Sequence, residues 1–224
     1  MSEGAELREG LEPVGLLLIT DVIRAEAPDT LAYFESQGVD LKVISGDDPV
    51  TVSAIARRAG LKNAEHYIDA TTITTQEQMD EAVAEYSVFG RVTPQQKQSM
   101  VKSLQAQKHT VAMTGDGVND VLALKEADCS IAMAEGSDAA KNIANVVLLD
   151  SNFAAMPHIV NQGRRVVNNI RSAASMFLIK TMFFCNACTD HYLFGSAYPF
   201  EPIQMSLISA CAVGIPTFLL TQEN

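Results

Sequence analysis

Residues 114–120 read TGDGVND and directly follow residues 110–113 (TVAM) of a short apolar run, TVAMT, at residues 110–114. Two glycines and three acceptor-rich side chains stand within these seven residues, which is a costly way to build an ordinary turn. Glycine lets backbone N–H groups approach an anion, and carboxylates are hard oxygen ligands for Mg²⁺. The segment therefore indicates a phosphate and metal site at the end of a β-strand, which is typical of α/β proteins.

Further apolar, strand-like runs alternate with helical patterns on both sides of this segment. Helices are predicted at residues 28–37, 49–59 and 94–107, because proline opens each one and Gly38 and Gly60 follow the first two. Near-continuous apolar strands joined by helices predict an α/β fold with a mostly parallel sheet covered by helices on both faces. The other predicted strands are residues 14–20, 41–45, 86–91, 129–133 and 146–149.

Polar residues suited to phosphoryl chemistry stand at several of these strand ends. Ser45-Gly46-Asp47 follows one strand, Asp21 follows another, and Lys97 comes after Arg91 near a helix start. Hydroxyls and a mobile ammonium group contact phosphoryl oxygens, while carboxylates hold Mg²⁺. Taken singly, each of these three features is better explained by a turn, a solvated first helical turn or a cap. Together they predict a phosphoryl-transfer site that acts by positioning and charge neutralisation.

The composition limits the class of protein. The 224 residues carry a formal charge of −11 and a pI of about 4.7, which argues against a nucleic-acid partner. With 47% hydrophobic residues the chain can bury a core, so general disorder is excluded. Its four cysteines make no disulfide framework and predict a reducing compartment. Residues 1–10 are polar and acidic and do not resemble a secretory signal.

Two apolar runs near the C-terminus predict a helical hairpin in the membrane. Residues 172–193 are mainly apolar but include Lys180, Asp190 and His191, whereas residues 203–220 contain no charge. A span of about 20 apolar residues crosses a bilayer. The alternative is a pair of buried helices in a soluble core.

Arginines before the first apolar run predict the orientation of the hairpin. Arg164, Arg165 and Arg171 would hold that end in the cytoplasm, so residues 1–170 are expected to be cytoplasmic and the protein a multi-pass protein of the cell membrane. The predicted domains are residues 1–160, the α/β part, and residues 161–224, a stalk with two transmembrane helices.

These motifs resemble, in order, those of P-type ATPases, the ion pumps of the haloacid-dehalogenase superfamily. The match covers about residues 12–220, and the part from Tyr198 onward further resembles a bacterial subgroup that includes a mycobacterial calcium exporter. Two motifs depart from the family pattern, since both prolines of D-P-P-R are replaced and serine stands for threonine in T-G-D. The matching segments are residues 21–24 (DVIR), 45–47 (SGD), 91–97 (RVTPQQK), 114–120 (TGDGVND), 162–171 (stalk) and 202–204 (PIQ).

The resemblance implies Mg²⁺ and ATP as cofactors and assigns roles to single residues. The implied metal ligands are Asp116 and Asp120. The implied catalytic residues are Lys97, which neutralises the phosphoryl group, Ser45 and Gly46, which bind its oxygens, Asp47, which orients that loop, and Asn119, which supports metal and phosphate. The implied nucleotide-side residues are Asp21, Arg24, Thr114 and Gly115.

The family's nucleophile motif, D-K-T-G-T, does not occur in the sequence. Residues 69–73 (DATTI) are the nearest imitation, but they stand in the wrong order and are predicted to form a loop. The resemblance thus implies a haloacid-dehalogenase-like sheet without its nucleophile strand. We expect a fragment that is inactive alone, poorly stable because strand edges are exposed, and missing the actuator and nucleotide-binding domains as partners. Two alternatives stay open, a non-catalytic pump remnant and a soluble haloacid-dehalogenase-like phosphatase.

The resemblance also implies the lipid bilayer and a transported cation as partners, with calcium as the candidate. The predicted fifth-helix region around Lys180 offers no carboxylate, and Thr181, Ser206 and Ser209 offer only hydroxyls. Lys180 is either a built-in counter-charge or a side chain that reaches toward the interface. Cys185 and Cys188 have a spacing that soft metals accept, although helix packing explains it as well.

Overall fold

The computed structural model describes residues 22–195 and 200–222. The strand predicted at residues 14–20 and the predicted site residue Asp21 lie outside them. The chain divides into two compact units, Met1–Ala154 and Ala155–Asn224. The first contains all the described strands, and the second is helical.

The described strands of the first unit form two three-stranded sheets with every pair parallel. One sheet has the order β1-β3-β2 and the other β4-β5-β6. Five of the six strands lie within or next to predicted runs, which confirms the α/β interpretation. Among the described residues, β1 and β4 each pair on one side only. The bounds are β1 Val43–Ile44, β2 Tyr67–Asp69, β3 Val88–Gly90, β4 Ala112–Gly115, β5 Cys129–Met133 and β6 Val146–Leu148.

The helices of the first unit begin where the sequence supplies caps. Asp48 accepts the Val50 and Thr51 N–H groups at the start of α2, and Thr75 and Thr93 form capping boxes with Gln78 and Gln96. Gly38 and Gly60 take left-handed φ angles of +76° and +90° just beyond α1 and α2, as the stop signals predicted. The bounds are α1 Ala27–Ser36, α2 Pro49–Arg58, α3 Gln76–Glu85, α4 Pro94–Ala106, α5 Val121–Glu126 and α6 Asp138–Ile143.

Helix α4 packs against both sheets. Met100 belongs to the apolar cluster around Phe89 of β3, whereas its neighbour Val101 belongs to the cluster around Met113 of β4. Both side chains are 1% exposed. Since each apolar side chain of this size contributes about 1.5–3 kcal/mol when fully buried, α4 is firmly fixed between the two sheets. Its first turn therefore has a defined position relative to both.

The second unit begins with a helix of 39 residues, α7 (Met156–Phe194). A second helical run follows, made of α8 (Pro202–Ser209), a π-helical turn (Ala210–Gly214) and α9 (Ile215–Gln222). Within the described residues, one helical stretch is long and apolar enough to cross a membrane, Pro202–Leu220 with a mean hydropathy of 1.8. Both predicted apolar runs are thus helical, and of the described helices only this stretch passes that test, since Lys180 and Asp190 interrupt the apolar part of α7.

Candidate active site

A buried ion pair joins the carboxyl ends of the two sheets. Lys97 lies in the first turn of α4, after β3, and Asp120 ends the 3-10 turn after β4. The Lys97 Nζ lies 2.7 Å from Asp120 Oδ1, and the two side chains are 12% and 10% exposed. The second carboxylate oxygen of Asp120 accepts the Gly117 N–H at 3.1 Å. Both predicted residues are therefore brought together, and both oxygens of Asp120 already have donors.

Asp116 is the exposed carboxylate of the same loop. Among the described residues its side chain has no hydrogen-bond or ion-pair partner, and the neighbouring Asn119 side chain is exposed as well. Its backbone is fixed, because the Asp116 carbonyl accepts the Ser137 N–H at 2.7 Å. Mg²⁺ commonly binds through one or two carboxylates while it keeps several waters and phosphate oxygens. A free carboxylate on a fixed backbone fits that requirement.

The described residues contain no group of three or more His, Cys, Asp or Glu side chains that could hold a metal ion. The carboxylate of Asp116 suits a metal that takes its remaining ligands from water and phosphate. Asp116 would hold such an ion. Mg²⁺ bound there would supply charge neutralisation at a phosphoryl group.

The Ser45–Gly46–Asp47 loop is held in place by β3 and the residues after it. The Ser45 hydroxyl donates to Asp47 Oδ2 at 2.9 Å and accepts the Asp47 N–H at 3.2 Å. The Val92 N–H donates to the Ser45 carbonyl at 3.0 Å, and the Arg91 N–H donates to the Asp47 carbonyl at 2.8 Å. Asp47 thus contacts Ser45 through both its side chain and its backbone.

Arg91 has a structural role that its sequence position did not reveal. Its guanidinium donates to Asp48 Oδ2 and to Asp69 Oδ2, each at 2.8 Å, and its φ angle is +52°. The residue therefore ties the ends of β1 and β2 to the end of β3. Residues 69–73, predicted to form a loop, instead comprise the end of β2 and a 3-10 turn capped by Asp69. The sequence feature that could have predicted this arrangement is the presence of an aspartate, Asp48 or Asp69, at the end of each of these two strands.

Arg24 and Asp116 line one cavity of about 520 Å³. The Arg24 Nη1 donates to the Ser151 carbonyl at 2.6 Å, and Glu135 and Asn152 contribute further polar groups to the wall. Arg24, predicted to lie on the nucleotide side, is therefore on the same face as the predicted metal ligand. Asp21 lies outside the described residues.

Thr114 and Gly115 form the end of β4 and lead into the Asp116 loop. A Cβ atom on Gly115 would lie 2.6 Å from the Asp120 Cβ, so glycine is required for Asp120 to reach Lys97. The role of Gly115 in the structure is thus to admit the ion pair. Thr114 is half-buried at the same strand end.

Acid is expected to weaken the hydrogen bonds that the Asp69 carboxylate accepts at the end of β2. The Thr71 hydroxyl, the Thr71 N–H and the Arg91 guanidinium hold the pKa of Asp69 below its ordinary value of 3.8. Because folding lowers the pKa of Asp69, its ionised carboxylate contributes to stability. That stabilisation is complete above the ordinary pKa and is lost as the pH falls through the lowered pKa. We expect Asp69→Asn to flatten the loss of stability between about pH 5 and about pH 2. Urea unfolding at several pH values measures this, and an unchanged acid limb would contradict it.

Comparison with known proteins gives the chain a family. The model of the haloacid dehalogenase-like hydrolases matches residues 2–128, more than half of the chain. The chain belongs to this family. The matched residues include strands β1 to β4 and the strand-end carboxylates of Asp116 and Asp120.

Curated relatives are cation-transporting ATPases. The probable cation-transporting ATPase exp7 of Streptococcus pneumoniae is 49% identical over 222 residues, covering 96% of this chain and 28% of the relative. The calcium-transporting ATPase CtpE of Mycolicibacterium smegmatis is 43% identical over 220 residues, covering 93% of this chain and 28% of the relative. The chain thus spans just over a quarter of the length of these relatives.

A solved zinc-transporting PIB-type ATPase in its E2.Pi state has a similar fold, with a TM-score of 0.65 and 25% sequence identity. The likeness covers 90% of this chain and 27% of that one. The chain is homologous to one segment of P-type cation-transporting ATPases, which confirms the resemblance seen in the motifs.

Proposed function

We propose that this chain forms the Mg²⁺- and phosphate-binding part of an ATP-driven cation pump together with two of its membrane helices. The observation that carries the proposal is the exposed Asp116 carboxylate on a fixed loop beside the buried Lys97–Asp120 pair. The chain's homology to cation-transporting ATPases covers 96% of its length, so it includes residues of both units.

In the proposed reaction, an aspartate carboxylate oxygen attacks the γ-phosphorus of ATP, the bond to the β–γ bridging oxygen breaks and ADP leaves. Water then hydrolyses the aspartyl phosphate. The attacking aspartate would come from a D-K-T-G-T segment, which these 224 residues do not contain. Asp116 would hold Mg²⁺, and the Ser45 hydroxyl and Gly46 N–H would contact phosphoryl oxygens.

Lys97 would neutralise charge from its buried position. An ammonium group that is already desolvated and oriented by Asp120 needs little reorganisation when a phosphoryl group approaches. Asp120 in this proposal acts mainly by fixing Lys97, and it reaches the metal only if its contact with the lysine or with Gly117 is exchanged.

We further propose that the second unit contributes to a cation path through the cell membrane, with calcium as the candidate because CtpE is a calcium-transporting relative. The Lys180 Nζ donates to the Ser209 Oγ of the neighbouring helix at 3.4 Å and lies 5.4 Å from the Phe177 ring centroid. These contacts support the built-in counter-charge interpretation over a side chain that reaches for the interface.

A chimera tests the proposed function. We would replace the aligned 28% of M. smegmatis CtpE with this chain and assay the purified chimera in vesicles. We expect Mg²⁺-dependent ATP hydrolysis and calcium uptake, and we expect Asp116→Asn to abolish both because the metal ligand is lost. A chimera that folds, inserts and incorporates label from ATP equally well with Asp116→Asn would contradict the assignment.

The chain alone serves as the control for the chimera. Incubated with γ-labelled ATP and Mg²⁺ and quenched in acid, it should incorporate no label, since the proposed nucleophile lies elsewhere. Acid-stable labelling of the isolated chain would contradict the proposal. Hydrolysis of a simple phosphate ester by the isolated chain would instead favour the alternative of a haloacid-dehalogenase-like phosphatase.

A further inference from the structure

The segment between β5 and α6 lies directly against the predicted metal ligand. We call residues 134–137 the brace. At its end, the Ser137 N–H donates to the Asp116 carbonyl at 2.7 Å. No sequence motif discussed above includes these residues, and the proposed reaction gives them no role. They are nonetheless the part of the described structure that holds the Asp116 backbone.

The brace is itself tightly fixed. The Ala134 N–H donates to the Leu148 carbonyl and the Glu135 N–H to the Ser151 Oγ, each at 3.0 Å. The Lys141 Nζ donates to the Ala134 carbonyl at 3.2 Å. The Ser151 side of this network leads to Arg24, whose guanidinium donates to the Ser151 carbonyl. Movement of Asp116 is therefore resisted, because the brace is hydrogen-bonded to Leu148 of β6 and to Ser151.

Gly136 has no space for a side chain at this contact. A Cβ atom there would lie 2.6 Å from the Asp116 carbonyl oxygen and 3.0 Å from the Asp116 Cα. A third neighbour, the Met133 carbonyl oxygen, would lie at 3.0 Å. All three are backbone atoms, so the clash cannot be relieved by rotating a side chain. The added methyl group must move either the brace or Asp116.

We propose that Gly136 and the Ser137 N–H are positioning elements for the metal site, which hold Asp116 at the place where its carboxylate binds Mg²⁺. This inference rests on the proposed function, since it takes Asp116 as the Mg²⁺ ligand. A ligand supplied by a loop binds a metal strongly only when the loop is already in position. The brace supplies that pre-positioning without touching the metal.

The test measures Mg²⁺ binding to the full chain in detergent micelles by calorimetry, with inorganic phosphate present. Gly136→Ala is expected to raise the Mg²⁺ dissociation constant by about tenfold, the scale seen when outer-shell support of a metal ligand is lost. Gly163→Ala is the matched control, because a Cβ there meets nothing within 4 Å. It should leave the dissociation constant unchanged. An equal constant in the wild type and Gly136→Ala would overturn the inference.

A second measurement keeps the inference testable if Gly136→Ala does not fold. In the wild type, hydrogen exchange of the Ser137 amide should slow when Mg²⁺ and phosphate are added, since bound metal fixes its acceptor residue. An exchange rate that does not respond to bound metal would overturn the inference as well. The variant Asp116→Asn distinguishes a failure of the proposed function from a failure of the role proposed for the brace. Mg²⁺ binding that survives it contradicts the proposed function, whereas Asp116-dependent binding unchanged in Gly136→Ala contradicts the brace alone.

Discussion

Replacing Lys97 by methionine is expected to lower the free energy of unfolding of the first unit by about 3–5 kcal/mol. The variant keeps most of the side-chain volume but leaves the Asp120 carboxylate, in a side chain only 10% exposed, without its counter-charge. The loss should appear as faster hydrogen exchange in β4 and β5 peptides across a urea series, measured on the full chain in detergent micelles.

Lys102→Met is the matched control on the same helix. The Lys102 Nζ lies 3.6 Å from Glu126 Oε2, and the two side chains are 54% and 30% exposed. An exposed pair of this kind contributes about 0–1 kcal/mol, so the control should change stability little. Equal losses in the two variants would contradict the idea that burial makes the Lys97–Asp120 pair important.

The double variant Lys97→Met with Asp120→Leu separates the ion pair from simple packing. Exchanging both buried charges for apolar groups is often nearly neutral, so most of the loss should be recovered. Recovery should fall short by about 1 kcal/mol, because the Gly117 N–H also loses its acceptor. A double variant as unstable as Lys97→Met alone would show that the side-chain shapes matter more than the charges.

Strands that carry their own apolar run were predictable from the sequence. The bounds of β5 agree with the predicted residues 129–133, because this strand is paired on both sides and its middle residues are buried. The two-residue β1 is much shorter than its predicted run. β2 was not predicted at all, because it is a three-residue edge strand with Tyr67 40% exposed. β2 is stabilised by pairing with β3, which the sequence of residues 67–69 alone does not indicate.

Helix α3 was also missed, although the sequence contains a usable signal. Thr75 and Gln78 have the spacing of a capping box, and the structure shows both of its hydrogen bonds. Proline and apolar spacing do not indicate this helix, because no proline opens it and its apolar residues are few, with only Met79, Ala82 and Val83 buried. A capping box can therefore mark the start of a helix that neither proline nor apolar periodicity indicates.

The placement of the candidate residues next to strand ends was predictable, but their individual contacts were not. Parallel strands bring their carboxyl ends together, so Ser45, Asp116 and Lys97 could be assigned to one region from the sequence. The pairing of Lys97 with Asp120, 23 residues apart, depends on how α4 packs against both apolar clusters. Arg91 stands near Lys97 in the sequence, but its guanidinium binds two carboxylates. Tertiary packing decides which carboxylate each cation binds, and the spacing of charged residues along the sequence does not reveal it.

Gly90→Ala is expected to destabilise the first unit by about 3 kcal/mol or more, at the upper end of the range for overpacked sites. A Cβ atom on Gly90 would overlap the Cα of Pro49 and lie 2.5 Å from its nitrogen and 2.6 Å from its Cβ. Pro49 opens α2 and directly follows Asp48, so relief of the clash must shift the Ser45–Asp48 loop that is proposed to contact phosphate. The same urea-dependent hydrogen exchange measures the loss, read in peptides that span β1 and β3.

Two further variants show whether the backbone of Pro49 is the obstacle. Gly163→Ala, on an exposed helical position with nothing within 4 Å of the new atom, should instead stabilise the chain by about 0.5–1 kcal/mol. Pro49→Ala should fail to rescue Gly90→Ala, because the Cα and nitrogen of residue 49 remain where they clash. Rescue by Pro49→Ala would mean that only the proline ring opposes the added methyl group. The approach of α2 to β3 would then be set by a side chain rather than by contact between two backbones.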